Sequence, residues 1–165
     1  MIFVFFLFLQ DPMANYHKDP KAIWIPLEHP TVDLPLIHLA SGEKTNFKKV
    51  GQNGFTMILS SGCGVCEKAF NVLSVLGRDY PTTLLFAGSV PSIHEFLKNQ
   101  GAKNLENVYV VDARNLVPYN IKTVPTILGY ENNKLTMAFY GPMDETDVDQ
   151  LLQLHVNHSR ILRKN

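Results

Sequence analysis

Three apolar runs set the limits on what this chain can fold into. They are Gly54-Phe55-Thr56-Met57-Ile58-Leu59, Thr82-Thr83-Leu84-Leu85-Phe86-Ala87 and Asn107-Val108-Tyr109-Val110-Val111-Asp112. A strand with one face in water alternates apolar and polar residues; a run that does not alternate is covered on both faces. Between the first two runs, apolar residues recur at Val65, Ala69, Val72 and Leu76, with Phe70 and Leu73 alongside, which is one face of a helix. Between the second and third, Pro91 suits the first turn of a helix running to about Gln100, and Gly101 suits its stop. Strand, helix, strand, helix, strand predicts a sheet covered on both sides, with parallel pairing in part. A chain of 165 residues that is 45% apolar fits one domain with a sizeable core.

At the seam between the first strand and the first helix stands Ser60-Ser61-Gly62-Cys63-Gly64-Val65-Cys66. Cys63 falls where free backbone N–H groups and the positive end of the helix dipole converge. A thiolate is stabilised there, and thiolates rather than thiols attack disulfides. Cys66, one turn on, can reach back to the Cys63 sulfur, so the pair can complete a two-electron exchange. These are the only two cysteines. A structural zinc site needs about four ligands, and the six histidines offer none at ligand spacing from the cysteines. His155 and His158, three apart, make only two ligands. A redox dithiol is the favoured reading; a metal site and an inert structural disulfide are the alternatives. Lys plus Arg equals Asp plus Glu at 15 each, so nothing in the charge recommends nucleic acid or a membrane surface.

Met1 to Leu9 is almost purely apolar and ends at Gln10-Asp11-Pro12. Nine helical residues span about 14 Å, under half of a bilayer core. The run lacks the basic start and small-residue cleavage site of a signal peptide. It reads as a truncated export signal or membrane tether, which places the protein outside the cytoplasm. The alternatives are a cytoplasmic protein starting at Met13, or a strand. Residues 1–30 are read as this segment plus an arm that wraps the surface, Trp24 covering a groove, and residues 31–165 as the domain. Val32 to Ala40 and Asn46 to Val50 flank the turn signal Ser41-Gly42-Glu43, which predicts a hairpin. The cysteine helix is expected to end near Gly77. A short helical or loop piece, 113–120, leads to a strand over Val124 to Tyr130, a turn at Glu131-Asn132-Asn133-Lys134 and a strand over Leu135 to Tyr140. Gly141-Pro142 opens a last helix capped by Asp144, with Val148, Leu151, Leu152 and His155 on one face. His155 there is read as a partly covered residue without chemistry.

This order, with Cys63-Gly64-Val65-Cys66, the stretch Tyr119-x-Ile121-x-x-Val124-Pro125-Thr126 and Gly141 before the last helix, resembles the thioredoxin superfamily over about residues 32 to 158. The extra helix and strand before Pro125 and the N-terminal hairpin look more like its TlpA/ResA-type thiol-disulfide oxidoreductases. The resemblance implies an α/β thioredoxin-like fold: a central mixed sheet flanked by helices, with an N-terminal β-hairpin and an extra αβ insertion. It implies Cys63 as attacking thiol, Cys66 as resolving thiol, and Val124 with a cis Pro125 as the substrate-facing loop. No cofactor or metal is implied. The partners would be protein thiols and disulfides and an upstream redox protein, in the cell envelope.

Three family features are missing. Met57 stands where thioredoxins carry a buried Asp, Gly62 where a Trp precedes the first cysteine, and Ala69 where ResA-like proteins carry a Glu. Glu67 reads as an exposed acid, so no base for Cys66 is named. Two other readings use a related fold. Ser60, three residues before Cys63, fits a peroxiredoxin-like peroxidase, and the two thiolates fit a copper-binding or redox-inert module.

Overall fold

The computed structural model describes residues 22–24, 33–51, 53–119 and 121–143, together with 147, 150–153 and 155–156 of a C-terminal helical segment. Eight strands form one sheet: β1 (Ala22–Trp24), β2 (Pro35–His38), β3 (Lys44–Asn46), β4 (Gly54–Ser60), β5 (Thr82–Ala87), β6 (Val108–Val111), β7 (Thr126–Glu131) and β8 (Lys134–Tyr140). Their spatial order is β1-β8-β7-β4-β5-β6-β2-β3. Among the described strands, β4 pairs with β5 and β5 with β6 in parallel, and the other pairings are antiparallel. Besides the C-terminal helical segment, the helices among the described residues are α1 (Phe47–Val50), α2 (Gly64–Asp79) and α3 (Val90–Asn99).

The unbroken apolar runs are explained by cores on both faces. Met57 and Leu59 join Phe86, Ile127 and Phe139 on one face, against Cys66, Ala69 and Val72 of α2 and Ile93, Phe96 and Leu97 of α3. Ile58 joins Leu85, Leu128 and Tyr130 on the other, against Phe47, Leu116 and Ile121. Ile58 and Leu59 point in opposite directions, yet each is 0% exposed. Burying each stabilises the fold by about 1.5–3 kcal/mol relative to leaving it in water. The mixed sheet flanked by helices is the architecture expected from the sequence.

Several local expectations need correction. The second arm of the hairpin stops at Asn46, and 47–50 is helical rather than extended. Asn46 caps that turn, its Oδ1 accepting from the Lys49 N–H at 3.1 Å, and the turn drives Phe47 into the core, where it is 2% exposed. Helix α2 runs past Gly77 to Asp79; an interior glycine costs a helix only about 1 kcal/mol. Residues 113–115 and 117–119 are two 3-10 turns. The β7–β8 turn carries φ of 51° at Asn132 and 62° at Asn133, the left-handed pair that a two-residue hairpin turn requires. Residues 22–24 of the arm add an edge strand, Ala22 opposite Tyr140 and Trp24 opposite Ala138. The apolar run Met1–Leu9, the Trp24 side chain and the Asp144 cap lie outside the described residues. Among the described residues, no helix is long and apolar enough to cross a membrane.

Candidate redox site at the end of the central strand

Strand β4 ends at Ser60, opposite Ala87 of β5. The chain turns at once: the Cys63 N–H donates to the Ser60 carbonyl at 3.2 Å, and the Cys66 N–H to the Cys63 carbonyl at 3.0 Å. Helix α2 starts at Gly64, so Cys63 sits just before its first turn. Cys63 and Cys66 are joined in a disulfide with Cα atoms 5.2 Å apart. The two sulfurs differ in access. Cys66 shares the sheet-facing side of α2 with Ala69 and Val72 and is 0% exposed. Cys63, ahead of the helix, is only partly buried, and Val65 between them is 42% exposed.

A loop distant in sequence closes over this pair. Cys63 Sγ lies 3.8 Å from the Val124 carbonyl oxygen, across 61 positions of sequence. The Val124–Pro125 peptide is cis. The Thr126 hydroxyl donates to the Thr123 carbonyl at 2.7 Å, and the Gly141 N–H donates to the Pro125 carbonyl at 3.0 Å, which ties the loop to the end of β8. Cys63, Cys66, Val124 and Pro125, the four residues singled out in the sequence, therefore meet at one end of the sheet.

Two of the three departures lie in the core, and the third, Gly62, is exposed. Met57 is fully buried between Leu84 and Ile127 in the ladder, and Ala69 is fully buried too. Glu67 is exposed, as the sequence suggests. Among the described residues, no three His, Cys, Asp or Glu side chains are grouped to hold a metal ion. His155 is more buried than expected, at 5% exposure, its Nδ1 bonded to the Thr136 hydroxyl at 2.8 Å and its ring against Phe55 and Tyr80. It serves the core behind β7 rather than the cysteines.

One contact escapes sequence reading. The Ser61 hydroxyl is 2.8 Å from that of Ser92, which in turn accepts from the Ser89 hydroxyl at 2.9 Å. This ties the turn before Cys63 to the start of α3. Gly88 allows the approach, since a Cβ there would lie 2.7 Å from Ser61 Oγ. Only the cap position of Ser89 before Pro91 signals any part of it. A groove of about 580 Å³ lies farther along, lined by Ile37, Val110, Asp112 and Gly88 among others, and by neither cysteine.

No protein-family model matches the chain, and no curated protein does. Solved structures do match. One is described as a provisional thiol:disulfide interchange protein DsbE from Chlorobium tepidum. It is 16% identical with a TM-score of 0.66, over 82% of this chain and 99% of that one. A second is a DsbF homologue from Corynebacterium diphtheriae, 13% identical with a TM-score of 0.59, over 82% and 92%. A third is a secreted Mycobacterium tuberculosis disulfide oxidoreductase homologous to E. coli DsbE, 14% identical with a TM-score of 0.52, over 77% and 97%. At such identities the likeness is one of fold, and the fold of this chain is thioredoxin-like.

Proposed function

We propose that this thioredoxin-like chain is a thiol-disulfide oxidoreductase that exchanges electrons with protein thiols and disulfides through Cys63 and Cys66. One observation carries the reading: a disulfide at the start of a helix with one sulfur within reach of a partner and the other sealed in the core. In the reducing direction, the Cys63 thiolate attacks a sulfur of the partner's disulfide and releases one partner thiolate. The Cys66 thiolate then attacks Cys63 Sγ, breaks the mixed disulfide and releases the second. The protein ends oxidised and the partner reduced, by two electrons, and the two protons lost by the cysteines balance those taken up by the partner's thiolates. The reverse sequence oxidises a dithiol. The electrons reside in the cysteine pair, so no organic cofactor is needed. A second redox protein resets the pair.

In this reading Val124 and Pro125 hold the partner. An extended segment beside Cys63 pairs with the Val124 backbone, as added strands do at sheet edges. We place the protein outside the cytoplasm, where disulfides persist. The secreted mycobacterial structure supports this, and the run Met1–Leu9 supplies a candidate signal or tether.

The test is turnover of a protein disulfide in the wild type, Cys63→Ser and Cys66→Ser, with glutathione as electron source. Both variants should lose turnover, and a mixed disulfide should accumulate only with Cys66→Ser. Peroxide consumption without disulfide exchange would replace this reading with the peroxidase. Tight Cu(I) binding without exchange would replace it with the copper module.

A further inference from the structure

In the disulfide-bonded state the Val124 carbonyl oxygen lies 3.8 Å from Cys63 Sγ, and once the pair is reduced the consequence of that approach depends on the charge of the sulfur. A thiol can donate its S–H to a carbonyl oxygen. A thiolate has nothing to donate and meets the negative end of the C=O dipole. A hydrogen bond made only by the neutral form favours that form. The same sulfur stands before the first turn of α2, whose dipole and free N–H groups favour the thiolate. Cys63 is thus held between two opposed influences, one from the helix and one from the loop.

The loop's influence depends on the carbonyl staying in place: the Gly141 N–H holds the Pro125 carbonyl, and one side chain closes the turn around Val124. Thr126 is 0% exposed and opens β7, paired to Ile58 on one side and Tyr140 on the other. Its backbone is fixed by the sheet. Its hydroxyl reaches back to the Thr123 carbonyl at 2.7 Å, closing a four-residue turn with Val124 and Pro125 in the middle. The side chain does here what the i to i+3 backbone bond does in an ordinary turn. The charged groups on the first turns of α2 and on the loop itself are Glu67, Lys68 and Lys122. All three are exposed and screened by solvent.

We infer that Thr126 is a positioning residue that holds the Val124 carbonyl against Cys63, so that reduced Cys63 stays a thiol to higher pH than the helix alone would allow. This rests on the redox reading only for its functional meaning: the bond sets how readily the attacking thiol ionises. Without it, Cys63 would be a more abundant thiolate and the pair a stronger oxidant, because its reduced form would be stabilised.

The experiment follows alkylation of Cys63 against pH in the reduced wild type, Thr126→Val and Thr126→Ser, resolved by site with mass spectrometry. Thr126→Val keeps the shape and removes the donor. Its midpoint should move to lower pH by about 0.4–1 unit, the scale of one ordinary hydrogen bond, and its reduction potential should become less negative. Thr126→Ser restores the donor and should match the wild type. An unchanged or raised midpoint in Thr126→Val, or an equal shift in Thr126→Ser, would overturn the inference. Should the valine variant not fold, the wild type decides. With valine labelled at its carbonyl carbon, the Val124 signal should titrate with the midpoint of Cys63, and a signal that does not move would refute the contact. A midpoint that moves in a protein without disulfide exchange would sink the redox reading and leave this inference standing. Exchange with a fixed midpoint would do the opposite.

Discussion

Replacing Cys66 tests both the order of the chemistry and the burial of the resolving sulfur. Any substitution there opens the disulfide, which closes only residues 63–66. In the chain-entropy account, a four-residue loop constrains the unfolded state by about 6 cal/mol/K, or about 1.9 kcal/mol at 25 °C. The new side chain then decides the rest. Cys66 is 0% exposed and packs in the cluster with Met57, Ala69 and Val72. A serine hydroxyl there would sit among apolar side chains, and an unsatisfied buried group costs about 1–3 kcal/mol. Alanine leaves a cavity smaller than a methyl pair, worth about 1 kcal/mol. Relative to the oxidised wild type, Cys66→Ser should therefore lose about 3–5 kcal/mol and Cys66→Ala about 3 kcal/mol. Domains of this size carry roughly 5–15 kcal/mol, so both should fold. Urea unfolding measures the losses, and non-reducing electrophoresis with mass spectrometry detects a one-to-one adduct on Cys63. Alanine is then the better trap. An adduct that also forms on Cys66 in Cys63→Ala would refute the assignment of roles. Serine as stable as alanine would refute the apolar surroundings and point to a polar partner for Cys66, the base that Met57 and Ala69 do not supply.

Two further outcomes concern stability against pH. Tyr130 is 2% exposed, its hydroxyl has no hydrogen-bond partner among the described residues, and burial pushes its phenol far above the ordinary 10.0. A raised pKa gives stability that is complete below 10.0 and lost as pH rises past it. Tyr130→Phe should gain about 1 kcal/mol at pH 8. By pH 11 the wild type should fall a further 1.4 kcal/mol or so behind; parallel losses in both proteins would refute this. The Arg114 side chain beside Asp112 holds its carboxyl at about 2, below the ordinary 3.8. That contribution is complete above 3.8 and disappears as pH falls towards 2. Asp112→Asn should thus flatten the acid limb of a stability curve over that window, and an unchanged limb would show the exposed pair contributes nothing.

What the sequence disclosed was whatever depends on local pattern. Met57, Ile58 and Leu59 face alternate sides, and their shared apolarity reported a sheet covered twice. The spacing of Cys63 and Cys66 reported a helix start, and Tyr119 to Thr126 reported a loop entering a strand. Partnerships across long sequence separations stayed hidden. Ala22 to Trp24 form a strand only because β8 offers an open edge, and three residues carry too little pattern to show it. Phe47 leaves the hairpin because a core waits behind it. The Ser61–Ser92 contact joins two hydroxyls that look like ordinary loop residues. The Val124 backbone beside Cys63 is legible only through the resemblance to thioredoxins, since a backbone atom carries no residue type and every residue has one.

The unequal access of the two sulfurs also fixes who may speak to whom. Once a partner is bonded to Cys63, thiols in the surrounding fluid find Cys66 closed to them. The thiol that releases the partner is already on the same helical turn, its Cα 5.2 Å from that of Cys63. A tethered group at such range acts at an effective concentration that dilute thiols outside do not match. In the proposed exchange, release by Cys66 therefore outpaces release by dilute glutathione or dithiols, whose only approach to the joined state is at the mixed disulfide on Cys63.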